Sequence, residues 1–117
     1  CGPCRDEAPA LVEVADAYAE DDVQFVGVNT KDNKASALRM QEQEGFPYPS
    51  LYDHDGEVQL ALRGRIPPAT LPITAVLDRD GRVAFVQVGV VTTSSLRMMI
   101  DEVLDEPVVG ADPAGDA

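Results

Sequence analysis

The chain has 117 residues, of which 44% are hydrophobic, and its formal net charge is −12 with a sequence pI near 4.2. This length and composition suit one domain with a modest core. No apolar run in the sequence is long enough to cross a bilayer. Because like charges repel, the acidity disfavours phosphate backbones and anionic lipid surfaces as partners, and no nucleic-acid partner is expected.

The first half of the chain predicts a helix, a strand and a second helix. Residues 3–19 form an amphipathic pattern whose apolar stripe is Leu11, Val14, Ala15 and Tyr18. Residues 23–28 predict a strand that is apolar on both faces, as in a parallel sheet covered by helices. A polar connection over 29–33 leads to a helix over 34–44, which we expect Gly45 to end.

The second half predicts shorter elements and then a long helix. In chain order these are a strand at 50–52, a turn at 53–56, a short helix at 58–62, an irregular proline-rich segment at 66–72, strands at 73–77 and 83–88, and a final helix. The last two strands flank a glycine-containing turn and predict an antiparallel hairpin. The final helix has apolar residues at Leu96, Met99, Ile100, Val103 and Leu104. Thr92, Thr93 or Ser94 could cap it.

The element order predicts an α/β sandwich over residues 1–105, followed by a disordered acidic tail at 106–117 that has too little apolar surface to order itself. Its first helix lacks a preceding strand. Open α/β sheets place their sites at the carboxyl ends of strands. We therefore expect the first strand of the domain to lie upstream of Cys1.

The most specific motif is Cys1-Gly2-Pro3-Cys4, which contains the only two cysteines of the sequence. At a helix start, the unpaired amides and the helix dipole favour a thiolate at the first cysteine, and a thiolate attacks disulfides. A closed zinc site needs four ligands, and the sequence offers two cysteines and His54, so no metal is expected. A purely structural disulfide and a lipidated N-terminal cysteine are the remaining alternatives.

These residues resemble the thioredoxin superfamily, in particular its TlpA/ResA-like thiol–disulfide oxidoreductases. The segments that carry the resemblance are CGPCRDEAPAL at 1–11, FVGVN at 25–29, LPIT at 71–74 and LDRDG at 77–81. The resemblance covers about nine tenths of the chain. It implies a thioredoxin-like sandwich with a central mixed β-sheet, and a TlpA/ResA-type insertion between Asp32 and Leu62. Two departures are the absence of a tryptophan before the motif and Ile73 where the family often has threonine.

The resemblance also implies roles for individual residues. Cys1 is the expected nucleophile and Cys4 the resolving thiol, while Gly2 and Pro3 set the geometry of the pair. Glu7, three residues after Cys4 on the same helical face, is expected to relay a proton. The alternative for Glu7 is an ordinary acid near a helix start.

The strand that follows the proline-rich segment is expected to bind the client. Pro72 is expected to be cis and to lie against the cysteine pair, with Leu71 offering backbone groups to an extended client. The alternative is a proline that merely starts a strand. His54 is expected in a turn, and Tyr48 and Tyr52 are expected to pack the inserted segment.

The predicted function is exchange of a Cys1–Cys4 dithiol and disulfide with client proteins, without any other cofactor. The family branch implies an extracytoplasmic reductant, for example in cytochrome c maturation. It also implies a membrane-bound electron donor and an anchor or export signal upstream. A peroxiredoxin-type peroxidase and a non-catalytic lipoprotein or client-binding module are the alternatives.

Overall fold

The computed structural model describes residues 1–30, 33–66 and 71–107. Its helices and strands follow one another in the order α1 (Gly2–Ala17), β1 (Gly27–Thr30), α2 (Lys34–Glu44), β2 (Ser50–Asp53), α3 (Glu57–Ala61), β3 (Ile73–Leu77), β4 (Val83–Val88) and α4 (Thr93–Leu104). Within the described ranges, no helix is both long and apolar enough to span a membrane. The predicted bounds of α2, β3 and β4 are confirmed.

The core lies where α1 packs against α4. Val14 and Tyr18 from the α1 side meet Leu96, Met99 and Ile100 of α4. These residues recur at helical spacing, so each helix turns one apolar face inward. Burial of these faces is the main source of stability that this contact supplies.

The start of α4 is fixed by a reciprocal cap. The Ser95 amide donates to the Thr92 hydroxyl at 3.0 Å, and the Thr92 amide donates to the Ser95 hydroxyl at 3.0 Å. Two backbone donors that the helix itself cannot satisfy are thus paired. Of the three candidate caps in the sequence, Thr92 is the one used.

The strands form two pairs. β1 and β2 are parallel, with Gly27 opposite Ser50, and β3 and β4 form the predicted antiparallel hairpin, with Ile73 opposite Val88. The predicted thioredoxin-like α/β fold, with helices flanking a small sheet, is confirmed, and among the described residues its strands form two pairs that share no ladder. The strand expected upstream of Cys1 stays a prediction.

The first strand begins later than predicted. Residues 23–26 are not in a strand, and β1 takes in Asn29 and Thr30, which were expected in a polar connection. The reason is its partner, because β2 starts at Ser50 and pairs only from Gly27 onward. Burial on both faces is also wrong here, since Val26 is 57% exposed and Val28 43%.

Side-chain hydrogen bonds order the segment between α2 and α3. The Gln41 amide group donates to the carbonyls of Phe46 and Tyr48, and its oxygen accepts from the Ser50 hydroxyl at 3.0 Å. The buried Asp53 carboxylate accepts from the backbone amides of Val58 and Gln59, which begins α3. Gly45 ends α2 in the left-handed region at φ 68°, as predicted.

Some expectations fall wholly or partly outside the described residues. Asp32, which begins the expected insertion, and Pro67 and Pro68 of the proline-rich segment expected to be irregular lie there, as does nearly all of the acidic tail, from 108 onward. The assignment of 32–62 as a family-specific insertion and the disorder of the tail therefore stay predictions.

Candidate redox site

The CxxC motif begins α1 and is closed as a Cys1–Cys4 disulfide, so the structure holds the oxidised form of the pair. Cys1 is the N-cap, and its Sγ accepts from the Cys4 amide at 3.3 Å. Cys1 is exposed, whereas Cys4 is half-buried. A partner in solution therefore reaches Cys1 Sγ more readily, and the helix start favours negative charge on that sulfur once the bond is reduced.

Glu7 lies one turn after Cys4 on α1 and is only 6% exposed. Its Oε1 accepts a hydrogen bond from the backbone amide of Val91 at 3.2 Å. Burial raises the pKa of the Glu7 carboxyl above its ordinary 4.5, and the Val91 bond partly offsets that rise. In this environment the Glu7 carboxyl keeps its proton to a higher pH than a surface glutamate does.

Pro72 is buried just before β3, and the Leu71–Pro72 peptide bond is cis, as expected. Its carbonyl accepts from the Gly89 amide at 2.8 Å, and Leu71 beside it is half-buried. Gly89 has φ 98°, a conformation that favours glycine. The short segment 89–91 thus contacts Pro72 at one end and Glu7 at the other.

Tyr48 lies in the segment between α2 and β2, where the sequence predicted a packing role. Its ring centroid lies 5.4 Å from that of Phe25 and 5.2 Å from that of Phe46. Burial, and after it the charge of Glu7, raises the pKa of the Tyr48 phenol to about 12. Tyr48 and Glu7 stand far apart in the sequence, and no local pattern connects them.

His54 is an exposed turn residue, as predicted. Its Nδ1 lies 3.1 Å from the Tyr52 hydroxyl, and its Nε2 lies 3.9 Å from Asp55. In the part of the chain that the structure describes, no three His, Cys, Asp or Glu side chains come together as a metal site would require.

A CxxC disulfide at the start of a helix, a cis-proline before a strand and helices flanking the strands define a protein of thioredoxin-like fold. The sequence matches the Redoxin family over residues 1–103. The chain belongs to that family.

Individual relatives and solved structures agree with this assignment. The chain is 26% identical over 103 residues to "Thiol-disulfide oxidoreductase ResA" of Geobacillus thermodenitrificans, with 88% of this chain and 57% of that protein covered. A thioredoxin-family thiol:disulfide interchange protein from Chlorobium tepidum superposes with a TM-score of 0.80 at 26% identity, over 89% of this chain and 72% of that one. A DsbF homologue from Corynebacterium diphtheriae superposes with a TM-score of 0.78 at 35% identity, over 87% of this chain and 64% of that one. The chain spans little more than half of the ResA protein.

Proposed function

We propose that this domain is a thiol–disulfide oxidoreductase that exchanges its Cys1–Cys4 couple with client proteins, and that it works as an extracytoplasmic reductant. The observation that carries the proposal is the asymmetry of the pair at the start of α1. Cys1 is exposed and Cys4 is half-buried, with the buried carboxyl of Glu7 one turn beyond. The relatives named as thiol–disulfide oxidoreductases and interchange proteins support the same activity.

In the reduced domain, the first step is attack by the Cys1 thiolate on one sulfur of a client disulfide. A bond forms between Cys1 Sγ and that client sulfur, and the client S–S bond breaks. The second client sulfur leaves as a thiolate and takes a proton from water. The helix start stabilises the attacking thiolate, because unpaired amides of α1 point toward Cys1.

The second step releases the client. Cys4 loses its thiol proton and attacks Cys1 Sγ, which forms the Cys1–Cys4 bond and frees the remaining client sulfur as a thiolate. Glu7 is the base we assign to this proton, since it follows Cys4 by one helical turn. The client gains two electrons and the domain loses two. Its own disulfide is then reduced again by a dithiol donor.

Client binding is assigned to the segment before β3. Pro72 is buried with its carbonyl bound to Gly89, so Leu71 is the adjoining residue whose backbone groups can meet an extended client. Recognition of an extended client through main-chain hydrogen bonds depends little on the client's side chains. This mode of binding suits an enzyme with varied clients. Gly2 and Pro3, the two residues between the cysteines, set the backbone geometry of the pair.

The proposal also includes where the domain works and what supplies its electrons. The family branch supports a domain outside the cytoplasm, held by an anchor or secreted, with a membrane-bound electron donor. A disulfide-bearing client such as apocytochrome c fits the reductant role. The net charge of −12 favours clients that are not themselves strongly acidic.

A redox titration of the Cys1–Cys4 couple tests the proposal. Equilibration with dithiothreitol or glutathione buffers, followed by alkylation and intact mass measurement, gives the oxidised fraction. A reductant is expected to lie near thioredoxin, at about −270 mV, whereas a value near DsbA, at about −120 mV, indicates a disulfide-forming oxidant. The absence of a reversible couple would contradict oxidoreductase activity.

A further inference from the structure

Residues 89–91 join the end of β4 to the cap of α4, and both ends of this segment bind the candidate redox site. The Gly89 amide donates to the Pro72 carbonyl at 2.8 Å, and the Val91 amide donates to Oε1 of Glu7 at 3.2 Å. Val91 is 1% exposed and belongs to the core cluster, so its side chain is held in place. The direction of its amide depends on the peptide group between residues 90 and 91.

That peptide group is bound at its other end by a side chain of β4. Nε2 of Gln87 donates to the Val90 carbonyl at 2.9 Å. A peptide group is planar, and in the trans form its carbonyl and its N–H point in opposite directions. The oxygen and the N–H of one peptide group therefore bind Gln87 and Glu7 respectively. A rotation of the group that breaks one of these bonds also displaces the other.

The turn before this peptide group does not fix its direction alone. Gly89 has φ 98°, in a region where glycine has wide conformational freedom. Gln87 lies within the ladder of the hairpin, opposite Thr74, so its backbone is held by β3. The bond from Gln87 to the Val90 carbonyl therefore ties the peptide group to the hairpin and restricts the turn at Gly89.

We propose that Gln87 is a positioning residue for the exchange reaction, which orients the peptide group of Val90 and Val91 so that its N–H binds the Glu7 carboxylate. This inference rests on the proposed function for its consequence, since Glu7 is the base assigned to the Cys4 proton. Gln87 acts on Glu7 through this one peptide group. Hydrogen bonds at the two ends of an amide also polarise each other, so the bond from Gln87 strengthens the bond to Glu7.

The other groups around Glu7 allow its titration to report on this bond. Burial raises the pKa of Glu7, and the hydrogen bond from residue 91 lowers it. The Tyr48 phenol, on which the charge of Glu7 acts, has a pKa of about 12 and stays neutral, and the oxidised cysteine pair does not titrate. On α4, Arg97 and Asp101 contact the far end of α1. Since Gln87 is uncharged, replacing it with an apolar residue changes none of these charges.

The test follows the Val91 amide and the Glu7 carboxyl by NMR in the oxidised protein, labelled with ¹⁵N and with ¹³C at glutamate carboxyls. The wild-type Val91 amide proton is expected to shift with pH at the Glu7 midpoint, and Glu7→Gln, which also assigns the carboxyl signal, should abolish that shift. Gln87→Met has no donor for the Val90 carbonyl. It is expected to reduce the shift to about half, because hydrogen bonds weaken steeply when misaligned. The Glu7 midpoint should rise by about half a pH unit, because the bond that lowers it is weakened.

Gln24→Met is the matched control, at an exposed glutamine between α1 and β1, and should leave both quantities unchanged. If Gln87→Met does not fold, Gln87→Val replaces it, because a β-branched side chain suits a strand and also lacks a donor. The same changes are expected there. A folded variant at position 87 with an unchanged Glu7 midpoint, or an equal rise in Gln24→Met, would overturn the inference. The measurement needs no exchange activity, so its failure is distinct from a failure of the redox titration.

Discussion

The backbone amide of Val91 donates to Oε1 of Glu7 at 3.2 Å, although the two residues stand 84 positions apart. The bond joins the helix that carries both cysteines to the segment that follows the hairpin. Since Gly89 in that segment also binds the Pro72 carbonyl, two distant parts of the candidate site are fixed by three consecutive residues.

Replacing Glu7 with Gln should change how stability depends on pH. A folded-state pKa above 4.5 means that the native protein binds the Glu7 proton more tightly than the unfolded chain does. The contribution of Glu7 to stability therefore declines as pH rises from 4.5 through the raised pKa, by about 1.4 kcal/mol for each unit of the rise. Gln keeps an acceptor for Val91 and carries no charge, so this decline should disappear.

Urea unfolding at a series of pH values measures this difference. Glu13→Gln, at an exposed position on the same helix, is the control and should retain the wild-type slope. A stability difference between wild type and Glu7→Gln that stays constant with pH would show that the buried carboxyl does not titrate as described.

Replacing Cys4 with Ser should trap the mixed disulfide. The exposed Cys1 still attacks a disulfide, but no resolving thiol remains to release the partner. Incubation with oxidised glutathione, followed by intact mass measurement, is expected to show a stable adduct on Cys4→Ser. Much slower adduct formation is expected on Cys1→Ser, because Cys4 is half-buried. Equal rates of adduct formation on Cys4→Ser and Cys1→Ser would contradict the assignment of Cys1 as the nucleophile.

Replacing Gly27 with Ala should destabilise the pairing of β1 with β2. The new Cβ would lie 2.6 Å from the Ser50 hydroxyl, so that hydroxyl must leave its place and its bond to Gln41. A cost of about 1–3 kcal/mol is expected for this overpacking. Ser50→Ala removes the obstructing oxygen, so Gly27→Ala with Ser50→Ala should cost less than the sum of the two single changes. Chemical denaturation of the four proteins completes the cycle, and simple additivity would contradict the steric explanation.

Replacing Thr92 with Ala should weaken the start of α4. It removes the hydroxyl that accepts from the Ser95 amide, and a loss of about 1 kcal/mol is expected for such a cap. Ser94→Ala, at an exposed position in the first turn, is the matched control and should change stability little. Thermal or urea unfolding distinguishes them, and equal effects would mean that the cap contributes nothing specific.

Local sequence signals predicted the elements whose causes are local. Gly45 ends α2 because it takes a left-handed conformation, and the hairpin follows from two β-rich runs around a glycine-containing turn. The motif at Cys1 likewise indicated a helix start. In each case the residues that decide the structure lie within a few positions of one another.

Features that depend on distant partners were not predicted. The position of β1 follows from where β2 begins, and the periodicity of residues 23–28 contains no information about that. The donor to Glu7 is a backbone amide, which every residue except proline carries, so no residue type at position 91 could indicate it. The packing of Tyr48 depends on Gln41 and Phe25, which lie on two other segments.

The long separation of Glu7 from Val91 also has a consequence for the newly made protein. Cys1, Cys4 and Glu7 leave the ribosome before Val91, which emerges only after the hairpin has been made. Until the segment with Val91 docks, Glu7 is an ordinary solvated acid. The two cysteines then have no buried carboxyl beside them. The raised pKa of Glu7 therefore exists only after Val91 has been made and has docked, so a product that stops before Val91 would carry the motif without this buried environment.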